Sequence, residues 1–402
     1  MININIPDFI AKSITGRESS LFLNDIDANK EALWDKIKNK SILVIGGAGT
    51  IGSSFIKSIL AFEPARLAVV DINENGLTEL TRDLRSDAHI KLPEYYKTYP
   101  INFGDLVFEK LLTKEGPFHI VANFAAHKHV RSEKDEYSIL AMLQNNVFLA
   151  GDFLERLLDY KPEHFFCVST DKATNPVNVM GASKKLMEEV IMAYSHRLPV
   201  TTARFANVAF SNGSLLDGYL YRMMKRQPLS CPSDVKRFFV SPEESGQICM
   251  LACLLGKSGD IFFPKLGEEQ MIYFRNITQS FIRTAGFEPY ICQSEEEARN
   301  FDINLSDGKY PVYYFKTNTS GEKLFEEFYT INDIIDDSSF NKLSIIKQSS
   351  TKSLEEITEI LDQLRSLINS QKLSKNAIID LLSGYLPDFQ HIETGKNLDQ
   401  KM

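Results

Sequence analysis

Residues 41–60, SILVIGGAGTIGSSFIKSIL, decide how the rest of the chain is read. The run SILVIGG (41–47) is apolar, short and closed by glycine, as a buried strand is. The stretch from Thr50 to Ala61 reads as a helix. Between the two, Gly46, Gly49 and Gly52 fit G-x-x-G-x-x-G, while Gly47, Gly49 and Gly52 fit G-x-G-x-x-G. Glycine at such a junction permits a tight turn, close backbone approach to a pyrophosphate, and close helix–sheet packing. The helix N-terminus, led by Thr50 and Ile51, turns unpaired N–H groups and a positive dipole end toward the phosphates. A bare glycine pattern is often only a turn, so the next strand matters. RLAVVDI (66–72) ends near Asp71, whose carboxylate would accept from the adenosine ribose hydroxyls and repel a 2′-phosphate. The loop therefore predicts NAD, not NADP.

Working outward, the same rhythm repeats. A helix around Leu77 to Leu84 follows, then FHIVANFAA (118–126) as a strand and YSILAMLQNNVFLAGDFLERLL (137–158) as one long helix. HFFCVST (164–170), MGASKKLMEEVIMAYSH (180–196) and PVTTARFANVAF (199–210) continue as strand, helix and strand. Such alternation implies βαβ units and a parallel sheet covered on both faces. The predicted fold is α/β, a Rossmann-like doubly wound parallel sheet with a smaller α/β lobe and a helical C-terminal extension.

Four regions are expected: an arm over 1–40, a dinucleotide-binding domain over 41–210, a substrate lobe over 211–335 interleaved with it, and the extension over 336–402. Ser241 followed by Glu244 is a capping-box signature for a helix start. A polar bridge near 332–353 leads into SLEEITEILDQLRSLI (353–368), an amphipathic helix suited to packing on the body or on a partner subunit.

Bulk properties remove several classes. The net charge of -8 and the scatter of Lys and Arg along the chain speak against nucleic acid as a partner. A polyanionic substrate stays open, since a few placed cations outweigh a mildly acidic surface. No stretch approaches the roughly 18–20 apolar residues needed to cross a bilayer. The N-terminus has no apolar signal-peptide core, so no membrane association and a cytoplasmic location are expected. Five cysteines form no C-x-x-C pair. Cys249 and Cys253, four apart in an apolar run, read as core and not as one edge of a metal site.

Ser169-Thr170-Asp171-Lys172 falls where the fifth strand ends, at the carboxyl edge where open α/β sheets bind ligands. Shortly afterwards Met180-Gly181-Ala182-Ser183-Lys184 opens a helix, placing Met180 and Lys184 on one face. Taken alone, Asp171 and Lys172 would also suit an exposed turn pair, and Gly104-Asp105-Leu106 would suit a plain turn.

These residues, with Asn123-Phe124-Ala125-Ala126, Asn146-Val147 and Arg204-Phe205-Ala206-Asn207-Val208, resemble the extended short-chain dehydrogenases/reductases in order and spacing. More narrowly, Ser169–Ala173 with Met180–Lys184 is similar to the UDP-N-acetylglucosamine 4,6-dehydratases of bacterial polysaccharide and glycan biosynthesis. Ser211–Ser214, Lys236–Phe239 and Gly321-Glu322-Lys323-Leu324 extend the match. The ending His391 through Gly395-Lys396-Asn397-Leu398-Asp399-Gln400 resembles the tail of a soluble branch. Met180 stands where the superfamily has tyrosine. A thioether cannot relay a proton, and the resemblance assigns this substitution to the C5-retaining enzymes.

The resemblance implies oxidation at C4, loss of water across C5–C6 and return of hydride to C6. Asp171 would protonate the C6 hydroxyl, which asks for a raised pKa, and Lys172 would take the C5 proton, which asks for a lowered one. Thr170 would bond the C4 oxygen, and Lys184 would hold the nicotinamide ribose. The base for the C4 hydroxyl stays open. Asp105 with Leu106 would meet the adenine, and Asn123, Ala125, Ala126 and Asn146 would border the cofactor. Asn207, Arg237 and Ser214 would hold the diphosphate, Arg237 through its planar fork. Lys128 and His129, in His127-Lys128-His129, would line the nucleotide-sugar pocket; no metal is expected. Helices flanking the sheet would pair subunits in a homo-oligomer.

Overall fold

The computed structural model describes residues 4–318, 320–321, 323, 325–347 and 352–395. Glu322, Leu324 and the stretch 396–400, used in the resemblance above, lie outside the described residues.

Among the described residues, nine strands form one sheet. They are β1 (Ser41–Ile45), β2 (Arg66–Val70), β3 (Tyr95–Tyr99), β4 (Ile120–Asn123), β5 (His164–Val168), β6 (Val200–Ala203), β7 (Ile261–Pro264), β8 (Ile334–Asp336) and β9 (Leu343–Lys347). Their order is β8-β9-β7-β6-β5-β4-β1-β2-β3. Every neighbouring pair from β7 through β3 is parallel, while β9 runs antiparallel to both β7 and β8. The winding reverses between β1 and β4, which opens a crevice at the carboxyl ends of those strands.

A parallel sheet needs cover on both faces, and the strands show it: all five residues of β1 are buried. One layer is made by the helices Thr50–Leu60 and Pro242–Leu255, which touch where Gly246 stands. A Cβ on Gly246 would lie 2.3 Å from the Ser54 carbonyl carbon, so only glycine allows this approach. The other layer contains Leu149–Tyr160 and Val179–Ala193, with Leu354–Ile368 packed outside them.

The structure departs from sequence expectation in three places. The single helix expected over 137–158 is divided into Glu136–Leu143, a π-helical turn at Gln144–Phe148, and Leu149–Tyr160. The turn points Asn146 inward, where it bonds the His127 backbone. The strand expected over 199–210 leaves the sheet after Ala203, and Asn207–Val208 pairs instead with Phe239–Val240. The polar bridge near 332–353 contains β8 and β9, so the C-terminal region adds strands to the main sheet before its helices Leu354–Ile368 and Lys375–Tyr385. Ile345 and Ile346 face Phe262 and Ile261 across that edge, which is the apolar contact that draws the segment in.

The lobe has its own parallel sheet, Leu229–Pro232, Lys309–Phe315 and Glu288–Cys292, with a core around Tyr219, Phe281 and Tyr310. The N-terminal arm spans both bodies. Phe9, Ile10 and Ile14 enter the lobe core, whereas Leu33 and Ile37 enter the main core. Between them, Arg17 forks onto Glu244 at 2.9 and 2.8 Å, a bidentate pair that ties the arm to the capped start of Pro242–Leu255. No helix among the described residues is long and apolar enough to cross a membrane.

Candidate active site

The glycine loop sits at the crevice between β1 and β4. Gly46 has φ 74°, and a Cβ there would fall 2.5 Å from the Ala125 nitrogen. A Cβ on Gly52 would come within 2.3 Å of the Gly46 carbonyl oxygen. The loop is thus folded as tightly as backbone contact allows, and Gly49 caps the Thr50–Leu60 helix. Asp71 closes the far side: its carboxylate accepts the Ala48 N–H at 3.0 Å and the Asn73 N–H at 2.9 Å. The Thr50 hydroxyl accepts the Asn212 N–H at 2.9 Å, joining this loop to the lobe side of the cleft. A cradle that a single Cβ would fill, at a helix N-terminus and beside a strand-end carboxylate, fits a dinucleotide pyrophosphate.

A cavity of about 1010 Å³ runs from this loop to the lobe. Gly46, Gly49, Thr50, Ile51, Gly52, Asp71, Ala125 and Ala126 line it on the loop side. Thr170, Asp171, Lys172, Met180 and Lys184 line its middle, and Lys128, His129, Asn207, Ser214 and Arg237 its lobe end. Asn123 and Asn146 lie behind this wall, 2% and 1% exposed. Asn123 accepts the Ala125 N–H at 3.0 Å, and Asn146 bonds both polar backbone atoms of His127 and the Ser183 hydroxyl. They shape the wall from beneath. Asp105 and Leu106 are not brought to the cavity lining; Asp105 stands at the N-cap position of the Leu106–Glu115 helix without a side-chain capping bond, and Leu106 is 64% exposed.

At the end of β5 the chain makes one 3-10 turn, Asp171–Ala173, capped by the Thr170 side chain. The Thr170 hydroxyl donates to Asp171 Oδ1 at 2.8 Å, and Lys172 Nζ donates to the same oxygen at 3.1 Å. Asp171 is 2% exposed, so this is no solvated turn pair. The Lys172 amine also meets Glu326 Oε1 at 3.4 Å. Burial alone would pull its pKa down, but Asp171 and Glu326 outweigh burial and Arg237, and the pKa is raised. The lowered value that a free C5 base asks for is therefore not what this arrangement provides; Lys172 is held as an ammonium.

Met180 is 2% exposed on the first turn of Val179–Ala193. One turn on, Lys184 Nζ donates to the Val168 carbonyl at 2.7 Å. Burial lowers the pKa of Lys184 against the opposing pull of Cys167 and Glu188. Below this floor, Ser169 donates to Glu188 at 2.6 Å, and Arg204 grips the same carboxylate at 2.9 and 2.8 Å. That buried fork braces the strand end against the helix.

At the lobe end, Arg237 donates to the Lys236 and Lys323 carbonyls and lies 3.7 Å from Glu326. The Asn207 side-chain nitrogen is buried with no hydrogen-bond partner among the described residues, a donor left for a ligand. Ser214 caps Leu215–Met224 by accepting the Asp217 N–H at 3.2 Å. Burial lowers the pKa of Lys128 despite Asp217, and burial lowers that of His129, with Lys128, Arg131 and His127 adding to it.

Glu326 is the site residue that sequence reading missed. It follows the Gly321–Leu324 match by two positions, in an aromatic run with no periodicity of its own. Its one signal was an acidic pair, Glu326-Glu327, between Phe325 and Phe328.

Comparisons with known proteins agree with this architecture. An uncharacterized membrane protein of Methanocaldococcus jannaschii, MJ1061, is 34% identical over 57% of this chain and 67% of its own length. The probable polysaccharide biosynthesis protein EpsC of Bacillus subtilis is 26% identical over 85% of this chain, which spans only 52% of EpsC. The inverting UDP-N-acetylglucosamine 4,6-dehydratase of Campylobacter jejuni and the UDP-glucose 4-epimerase of Rickettsia typhi are each 26% identical over 56% of this chain, and over 67% and 66% of their own. Among solved structures, Pen from Bacillus thuringiensis superimposes with a TM-score of 0.62 at 20% identity, covering 79% of this chain and 90% of that one. This likeness is one of fold. Residues 42–348 match the family model described as polysaccharide biosynthesis protein, and over that span, well beyond half its length, the chain belongs to this family.

Proposed function

We propose that the protein is an NAD-dependent nucleotide-sugar 4,6-dehydratase that acts on UDP-N-acetylglucosamine with retention at C5. One observation carries the reading: a Thr170–Asp171–Lys172 cluster, with Asp171 buried and its two neighbours half-buried, faces the cleft from the end of β5, with Met180 in place of an ionisable residue. NAD, when bound, supplies the acceptor for the C4 hydride and its donor to C6. Gly46, Gly52, Thr50 and Asp71 hold its pyrophosphate and ribose side, and Lys184 its nicotinamide ribose.

The chain's own residues do the acid–base work. Thr170 bonds the C4 oxygen. Lys172, once the proton that holds it as an ammonium has been given up, removes the proton at C5, which the adjacent ketone has made acidic, and the electron pair moves toward that ketone. Asp171 gives a proton to the C6 hydroxyl, the C6–O bond breaks, and water leaves. The proton released from the C4 hydroxyl balances the one carried off in that water. Lys172 finally returns a proton to C5 from the face it was taken. Asn207 and Arg237 hold the diphosphate with Ser214 beside it, and Lys128 and His129 border the nucleotide. Assembly as a homo-oligomer through helices flanking the sheet belongs to the same reading, and light scattering tests it.

Purified protein is incubated with UDP-N-acetylglucosamine in deuterated water. Loss of one water by mass, one deuteron at C5 and a retained ring configuration are expected. An inverted C5 would make it the inverting dehydratase, unchanged mass with inverted C4 an epimerase, and bound NAD without turnover a non-catalytic regulator.

A further inference from the structure

Glu326 is 5% exposed and reaches the cleft from the segment between Lys309–Phe315 and β8. Its Oε1 lies 3.4 Å from Lys172 Nζ and 3.7 Å from the Arg237 guanidinium, so one oxygen stands between two cations. Its Oε2 is buried and has no hydrogen-bond partner among the described residues. A buried acceptor left unpaired destabilises a fold, and one kept in a ligand cleft is open to a ligand or a proton. Among the described residues, the charged groups acting on Glu326 are Lys172, Asp171, Arg237 and Lys323. Burial, with Asp171 adding, raises its affinity for a proton, and the three cations oppose this.

The dehydratase reading needs Lys172 as a neutral amine, yet Asp171 and Glu326 hold it charged. Resting on that reading, we propose that Glu326 is the positioning carboxylate of Lys172: it holds the ammonium beside Asp171 and takes its proton when a substrate diphosphate draws Arg237 away. Incoming phosphate competes for the Arg237 fork, which weakens the cationic field on Glu326. An N–H bond of Lys172 then breaks and an O–H bond forms on Glu326. The neutral amine takes the C5 proton, and the C–H electron pair moves toward the C4 oxygen. After Lys172 returns a proton to C5, Glu326 returns its own to the amine, so both groups end as they began.

The test reads Lys172 apart from turnover. The NAD-loaded protein and its Glu326→Gln variant are treated with acetic anhydride across a pH series, and labelling of Lys172 is followed by peptide mass. The labelling midpoint should fall by about one pH unit or more in the variant, as expected when an opposite charge at contact distance is removed. With UDP-N-acetylglucosamine, kcat should fall at least tenfold while KM changes little, and Glu326→Asp should restore part of it. Glu326→Asp also serves the labelling comparison if Glu326→Gln does not fold, with a smaller fall expected. An unmoved midpoint overturns the proposal whatever the turnover shows. A shifted midpoint in a protein that dehydrates no nucleotide sugar upholds the Lys172–Glu326 contact but overturns both the dehydratase reading and the proton-taking role built on it.

Discussion

Lys184 Nζ donates to the carbonyl oxygen of Val168 at 2.7 Å, a bond that fastens the Val179–Ala193 helix to the last residue of β5. The bond sets how far the helix stands from the turn carrying Asp171 and Lys172. Both partners are buried, so neither finds water when the other is removed.

Lys184→Met keeps the aliphatic stem and deletes the ammonium. Hydrogen bonds to charged groups contribute about 1.5–3 kcal/mol, so NAD affinity and kcat/KM should each fall about ten- to hundredfold. Fluorescence titration with NAD and steady-state kinetics check this. Unchanged NAD binding would remove Lys184 from the cofactor site.

Gly52→Ala places a methyl group 2.3 Å from the Gly46 carbonyl oxygen, a distance no Cβ tolerates. The loop must open to admit it, and the pyrophosphate cradle goes with it. Purified variant should carry less than about a tenth of the wild-type NAD, with a lower melting temperature. Cofactor content by absorbance after acid release gives the first reading, calorimetry the second.

Met180→Tyr restores the ionisable group found at this position in the wider superfamily. The site is 2% exposed, and overfilling a packed site costs about 1–3 kcal/mol. A kcat at least tenfold lower is expected, together with a modest loss of stability. Dehydration at the wild-type rate would count against the role assigned to a non-ionising residue here.

His164 predicts an acid-sensitive step in stability. Its Nε2–H donates to Thr201 Oγ1 at 2.7 Å, since the Thr201 hydroxyl spends its own proton on the Ala252 carbonyl. Burial, with Lys36 adding, pulls its pKa down to about 4 from the ordinary 6.5. Between those values the unfolded chain binds the proton and the folded chain does not, so stability falls as pH drops from about 6.5 to about 4. The full shift corresponds to about 3 kcal/mol, and the ring's partial exposure trims this to about 1–2 kcal/mol. Urea unfolding at pH 7 and pH 5 should show a smaller drop for His164→Asn than for wild type.

The main sheet was legible because its signal is local. Each of β1, β2, β4 and β5 is an apolar run bounded by turn residues, and the glycine loop follows β1 directly. The Thr170–Asp171–Lys172 turn and the helix bearing Met180 and Lys184 were legible for the same reason, since one short segment carries both. Elements with weaker local patterns were not. The π-helical turn at Gln144–Phe148 exists because Asn146 reaches the His127 backbone. β8 and β9 are strands because β7 offers an open edge.

The sequence by itself determined the doubly wound sheet, the glycine loop after β1 and the place of the Thr170–Asp171–Lys172 turn at the end of β5, because hydrophobic period and glycine spacing act between near neighbours. Only the tertiary structure decided what surrounds that cluster. The segment Phe389–Ile392 straps the loop ahead of the Val179–Ala193 helix, with Gln390 and Ile392 donating to the Pro176 and Val177 carbonyls. Glu133 joins that strap to the helix start, accepting the Val179 N–H and bonding His391. Glu326 arrives from a distant segment and, with Asp171, turns Lys172 from a desolvated amine into a held ammonium. A side chain's charge state depends on burial and on the charges it meets, and those meetings are made by packing between segments remote in the chain.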